Sequence, residues 1–258
     1  MPQLSITPNQ AITYKLVHED DHLLIVNKRS GLVTTPGLGH ENDSLLNGLF
    51  AGWGAKLQNL GAKRGYGLLH RLDKPTSGLV MIALTKDAYD GLREAFETRT
   101  VGKFYWTIVE GEPKRQEGVV TLPITEYQGR TKFDRTPGEK KKLARISSSG
   151  APARTAYRVL QTGKGASLLE CRAVTGRLHQ VRVHMEAIGC PILGDEFYAN
   201  QHIQAASPRL ALHAHRLVFT HPVSGERIDV RTPWPADLRA TLKRVSLARP
   251  DLDQNAAS

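Results

Sequence analysis

An α+β fold with a mostly antiparallel sheet is the class this sequence predicts. Three observations lead there. Apolar, β-rich runs and amphipathic stretches intermix irregularly, without the strand–helix alternation that builds a parallel sheet. The chain has 258 residues, enough for one large domain or two small ones with a sizeable core. Hydrophobic residues make up 40% and charged residues 23%, close to ordinary globular values, which excludes collagen-like, coiled-coil and wholly disordered chains. Mean hydropathy is −0.35, and no apolar stretch approaches the ~18 residues of a membrane span. The first residues, MPQLSITPNQAITYK, lack a basic segment followed by an apolar run, so they do not read as a secretory signal.

The elements follow in order. Residues 1–10 read as a polar, loose start. ITYKLVHEDDHLLIV (12–26) predicts two strands around a turn at Glu19-Asp20-Asp21. NKRSGLVTTPGLG (27–39) is a Gly/Pro/Thr-rich loop. A helix enters at Asp43-Ser44 and runs to Leu60, with Leu45, Leu46, Leu49 and Phe50 on one face. GAKRGY (61–66) reads as a basic loop, and HRLDKPTSG (70–78) as a polar loop leading into the buried strand GLVMIALT (78–85). Lys86–Thr98 is an amphipathic helix with Ala88, Leu92, Ala95 and Phe96 inward. KFYWTIVEG (103–111) is a strand ending at a glycine. Further strands fall at TAYRVLQT, SLLECRAV, LALHAHRLVFTHP and ERIDVRTP, with a short helix from Gln180 to Ile188 and a terminal one from Asp237 to Val245. Residues 128–154 are basic, rich in Ser, Gly and Pro, and poor in large apolar side chains. They read as a long exposed loop or ribbon, either a surface insertion or a nucleic-acid contact.

Cys171 and Cys190 make neither a disulfide framework nor a CxxC metal pair; two reduced thiols in a cytosol are expected. Lys and Arg number 35 against 25 Asp and Glu, a net charge of +10. Such a surface attracts polyanions, nucleic acid first among them, without distinguishing an enzyme from a binder.

Two constellations carry chemistry. Asp73 lies between Arg71 and Lys74 in a loop beside a buried strand. It suits a nucleophile, a general base or a metal ligand, and equally a turn residue bonded to its own backbone. TGRLHQVRVHMEAIG (175–189) sets Arg177, His179, Arg182 and His184 within eight positions, either to grip phosphate or as a solvated basic face. His179/His184 and His213/His215 are pairs, yet neither is HExxH, and no Cys or carboxylate is spaced to complete a zinc site. GxGxxG, GxxxxGK[ST] and GxSxG are absent.

These residues resemble a family. HRLDKPTSGLVMIALT resembles the HRLDxxTSG signature of the RluA-type pseudouridine synthases. EDDHLLIVNKRSGLVTTPG (19–37), KFYWTIVEG (103–111), TGRLHQVRVHMEAIGCPILGDEFYA (175–199) and LALHAHRLVFTHPVSGE (210–226) agree with further family blocks in the family's order; Arg29 stands where the N-terminal block usually has proline. The likeness runs from about Ile12 to Pro233.

The resemblance implies a pseudouridine synthase fold, a mixed, mostly antiparallel sheet with flanking helices and a central basic cleft. It implies one catalytic domain over 12–245, a polar extension at 1–11, a flexible tail at 246–258, and no preceding S4 RNA-binding domain. Asp73 would be the essential aspartate that attacks the uridine or acts as base. Tyr105 would stack on the target base. Arg182 would pair with Asp73, Arg71 would enter the stem as the base swings out, and Arg177 would be a phosphate contact or solvated charge. His70, His179, His184, His213 and His215 would be structural hydrogen-bonders.

No cofactor or metal is implied. The partner would be RNA, with no membrane, for a monomeric cytoplasmic enzyme. The TTPG and PILGDEFYA…PRLALHA stretches lean toward the subgroup of RluA itself, which modifies a stem-loop of large-subunit rRNA and the anticodon arm of some tRNAs. TruC-like tRNA enzymes are the near competitor. The rival from another class is a non-catalytic RNA-binding or ribosome-assembly factor on the same scaffold. A metal-dependent nuclease fails on missing carboxylate clusters.

Overall fold

The structure is a computed structural model describing residues 4–130 and 140–252. The chain divides into two compact units. The first comprises Met1–Val101 with Arg216–Thr232, the second Gly102–His215 with Pro233–Ser258.

In the first unit, β1 (Lys15–Glu19) and β2 (Leu23–Lys28) form the expected hairpin, and β2 pairs antiparallel with β3 (Ser77–Ala83). All seven β3 residues are buried, as the continuous apolar run predicts. One face of these strands packs Leu23, Ile25, Leu79 and Met81 against Ala88 and Leu92 of α2 (Lys86–Glu97). Each fully buried Leu or Ile contributes roughly 1.5–3 kcal/mol.

Helix α1 (Leu45–Leu60) starts where the sequence places it. Ser44 caps it, accepting from the Asn47 N–H at 3.3 Å, while the Asn47 side chain accepts from the Ser44 N–H at 3.0 Å. Residues 4–14 are held along this helix rather than loose. Asn9 donates to the Asn47 carbonyl, and Ile12 and Tyr14 lie close over Gly48. After α1 the basic segment is a tight 3-10 turn, Ala62–Gly67, where a plain loop was expected. Gly67 has φ +87°, and a Cβ there would stand 2.2 Å from the Ala83 carbonyl, so only glycine lets the chain pass.

In the second unit, β4 (Gly102–Glu110), β9 (Ala166–Ala173), β8 (Thr155–Thr162) and β5 (Glu117–Val120) are neighbours in that order, all antiparallel. Strand β10 (Leu212–Thr220) flanks β4, continues into the first unit from Arg216, and there pairs with β11 (Arg227–Arg231). The core gathers Trp106, Ile108, Leu168, Leu169 and Cys171 with Val181 and Met185 of α3 (Gln180–Ala187). Both cysteines are buried free thiols.

The terminal helix is shorter than expected. A 3-10 turn at Ala236–Leu238 precedes α5 (Arg239–Arg244), and a short α4 spans Gln201–Ala205. The tail expected to be flexible from 246 is held through the last described residue: Ala248 donates to the Gln161 side chain at 2.8 Å, and Leu252 packs on the core.

The basic segment 128–154 is partly a seated ribbon. Strands β6 (Ile124–Gly129) and β7 (Lys141–Ile146) pair antiparallel, and Leu143 and Ala144 are buried. Ile124, Ala144 and Ala153 pack with Val183 of α3 in a small separate cluster. Charge dominated the composition, yet a few apolar residues suffice when a helix covers one face of the ribbon. Residues 131–139 lie outside the described residues.

Candidate active site

Asp73 sits in a loop, 69–76, with no helix or strand, as the sequence predicts. That loop is tied down by its main chain. The Thr34 hydroxyl donates to the Leu72 carbonyl at 2.8 Å and accepts from the Leu72 N–H at 3.2 Å. The Ser30 hydroxyl donates to the Pro75 carbonyl at 2.7 Å, and the Gly31 N–H to the Lys74 carbonyl at 2.8 Å. Thr76 N–H closes a turn on the Asp73 carbonyl at 3.0 Å. The Met81 N–H donates to His70 Nε2 at 3.0 Å, which fastens the loop's start to β3.

Lys28 is the centre of this arrangement. Its side chain is fully buried, and its ammonium lies among four carbonyls: Leu32 at 2.7 Å, Arg29 at 3.1 Å, Asp73 at 3.3 Å and Lys74 at 3.5 Å. The cation stitches the 29–32 loop to the Asp73 turn. Asp73 itself is partly buried, whereas Arg71 and Lys74 are exposed. Arg71 is thus open to solvent.

In the second unit, Tyr105 is on β4 opposite Cys171, partly buried and packed on the core's edge. Lys103, two residues earlier, shares its strand face. The Lys103 ammonium comes within 3.5 Å of where a Gly176 Cβ would be, so the TGR loop borders that face. Burial pulls the Lys103 ammonium down to about 8.

Gln180 organises the TGR loop. It accepts from the Thr175 hydroxyl at 2.5 Å and the Arg177 N–H at 3.1 Å, and donates to the Arg154 carbonyl and the Thr155 hydroxyl. Arg177 is exposed, its Nε donating to the Pro152 carbonyl at 3.1 Å.

Arg182, on α3, is 2% exposed and makes a bidentate pair with Asp195: Nε to Oδ2 at 2.8 Å, NH2 to Oδ1 at 2.7 Å. Sequence reasoning quoted Asp195 within a family block and gave it no role. Lys28, Thr34 and Gln180 were likewise unassigned. Their types carry no signal alone, because a lysine ending a strand usually reaches water.

The histidines are structural hydrogen-bonders, as expected. His184 Nε2 donates to the Leu122 carbonyl at 2.9 Å and Nδ1 accepts from Thr155, while burial lowers its pKa. His215 bonds Glu170 at 3.0 Å and stacks on Trp106 at 3.7 Å. Burial pulls His213 down to about 3.

Comparison with known proteins gives these residues a context. The profile described as RNA pseudouridylate synthase matches residues 22–187. "Ribosomal large subunit pseudouridine synthase D" of Zymomonas mobilis is 37% identical over 256 residues, 96% of this chain and 78% of that protein. "Dual-specificity RNA pseudouridine synthase RluA" of Escherichia coli O157:H7 is 37% identical, over 88% of this chain and 95% of that one. Among solved structures, "Human RNA Pseudouridylate Synthase Domain Containing 4" superposes with a TM-score of 0.70 at 28% identity, covering 92% of this chain and 95% of that one.

An α+β chain with a locked aspartate loop is thus one of a class of RNA-modifying isomerases. It belongs to the RNA pseudouridylate synthase family, as an RluA-type member. Among the described residues, no helix is long and apolar enough to cross a membrane.

Proposed function

We propose that this enzyme isomerises uridine in a structured stem-loop of large-subunit rRNA, of a tRNA anticodon arm, or of both. Relatives named for the large ribosomal subunit and for dual specificity support that range. In this reading Asp73 is the catalytic residue, as nucleophile or base. The observation that carries it is the Asp73 loop, whose main chain is bound at Leu72, Asp73, Lys74 and Pro75 while Asp73 as a residue is only partly buried. A reacting group held that way loses little orientational freedom on binding.

The family likeness gives Arg182 a part in the reaction alongside Asp73. Tyr105 stacks on the uracil ring, and Arg71 fills the place of the flipped base, offsetting a few kcal/mol of lost stacking. Arg177 is positioned for phosphate. Residues 12–245 work as one catalytic domain with a basic cleft, in a cytoplasmic monomer. The non-catalytic alternative draws no support from these relatives, whose names are those of synthases.

The test is a transcriptome-wide pseudouridine map of a deletion strain beside one carrying only Asp73→Asn. The same sites should vanish from both, and those sites name the substrate. Sites lost in the deletion and kept in Asp73→Asn overturn the role of Asp73. A deletion that loses no site removes the RNA assignment.

A further inference from the structure

We propose that Asp195, backed by the rings of Phe197 and Tyr198, is the positioning residue for Arg182. This rests on the reading that Arg182 takes part in the reaction. All four residues belong to the second unit.

Asp195 is 1% exposed and engages two of the guanidinium's three nitrogens, so the fork cannot rotate while the pair is intact. The carboxylate is itself immobilised. Oδ1 also accepts from the N–H groups of Phe197 at 2.9 Å and Tyr198 at 3.1 Å. The turn that aims it needs Gly194, whose φ is +75° and whose Cβ would meet the Arg209 carbonyl at 2.0 Å. The guanidinium carbon lies 4.9 Å from the centre of the Phe197 ring and 5.1 Å from that of Tyr198, so two aromatic faces bound it as well.

Tyr198 is anchored in turn. Its oxygen accepts the Ala144 N–H at 2.9 Å and meets His179 Nδ1 at 2.7 Å. His179 is the left-handed residue, φ 53°, that starts α3. One hydroxyl therefore joins the ribbon strand β7, the beginning of α3, and the ring beneath Arg182.

Stability alone does not account for such a pair. Burying two charges costs about what their attraction returns, and apolar residues of the same volume commonly do as well or better. A buried Arg–Asp fork with a second set of fixed donors instead defines the direction of the remaining guanidinium nitrogen.

The experiment follows tritium release from large-subunit rRNA and tRNA transcripts labelled at uridine C5, a hydrogen lost when that carbon becomes the glycosidic one. Asp195→Asn, Asp195→Glu, Tyr198→Phe and Arg182→Lys are compared with wild type, each with its melting curve. Asp195→Asn should lower kcat on the order of 100-fold with KM within about threefold, as expected for misdirection of a reacting group. Asp195→Glu keeps the charge and should recover part of that loss. Tyr198→Phe keeps the ring, loses both hydrogen bonds and should lower kcat several-fold.

In an Arg182→Lys background, Asp195→Asn should have no further effect on kcat, because the group it directs is gone. Additive losses overturn the proposal. So does a folded Asp195→Asn enzyme with wild-type kcat while Arg182→Lys is impaired. Should Asp195→Asn fail to fold, an unchanged kcat in both Tyr198→Phe and Asp195→Glu overturns it instead. Full activity in Arg182→Lys and in Arg182→Ala removes the underlying reading of Arg182, a different result.

Discussion

In the loop that carries Asp73, a buried cation is shared among backbone carbonyls. At the helix that carries Arg182, a buried anion is shared between a guanidinium and two backbone N–H groups. Lys28 binds the main chain around Asp73, fixing the residue by its own φ/ψ. Asp195 grips the arginine side chain itself. The difference follows from side-chain length. A short aspartate is aimed once its own φ/ψ are fixed, whereas a long arginine keeps about 2 kcal/mol of rotamer freedom unless its head is held.

The largest effect should come from removing the cation. Lys28→Met preserves volume and takes the donor from the buried Leu32 carbonyl and from the part-buried Arg29 carbonyl. The Asp73 and Lys74 carbonyls still accept from Thr76 and Gly31. At 1–3 kcal/mol per buried polar group left unpaired, a loss of about 1–3 kcal/mol is expected, read by urea unfolding. The catalytic rate should drop at least tenfold with KM nearly constant. A variant that melts early yet turns over normally would break the comparison, since the loop would then need no fastening.

Lys103 sharpens the comparison from another side, as a buried cation whose burial outweighs its surroundings. Its folded pKa, about 8, lies below its ordinary 10.5. The charged form is therefore disfavoured by folding. That cost is full below pH 8 and disappears as pH rises to about 10.5. Relative to Lys103→Met, the wild type should gain on the order of 2–3 kcal/mol between pH 7 and pH 10. Parallel curves for the two proteins would mean that burial does not control this lysine.

The smallest effect concerns the ribbon. Lys142 pairs with Glu126 at 2.7 Å on an exposed surface, an interaction worth well under 1 kcal/mol. Lys140→Ala with Lys142→Ala should leave the melting temperature within a degree or two. Lys141 is spared because it lies over the Phe197 ring. If the ribbon meets phosphate, RNA affinity falls and the slope of log K against log salt flattens by about 1–2. An unchanged slope returns the ribbon to surface decoration.

Much of the fold was legible because its signals are local. The all-apolar GLVMIALT run, the Ser44 cap and the inward stripe of Lys86–Glu97 each act within a few residues. The polar character of HRLDKPTSG likewise marked a loop at the correct place. The seated half of the basic ribbon was hidden because Ala144 packs with Val183 of α3, a helix some forty residues downstream. The short start of the chain was hidden for the same reason, its partners being Asn47 and Gly48.

Sequence alone determined the class of fold, the excess of positive charge, the loop that presents Asp73 and, through resemblance, the family. Each of these depends on near neighbours or on a string of residues in order. Tertiary structure decided which ordinary residues hold the reactive ones. Lys28 reaches carbonyls 45 and 46 residues away, and Asp195 turns back thirteen residues to Arg182. Neither residue type announces such a task. A lysine seeks water and an aspartate seeks a turn until folding removes the water and brings a distant dipole or charge within 3.5 Å.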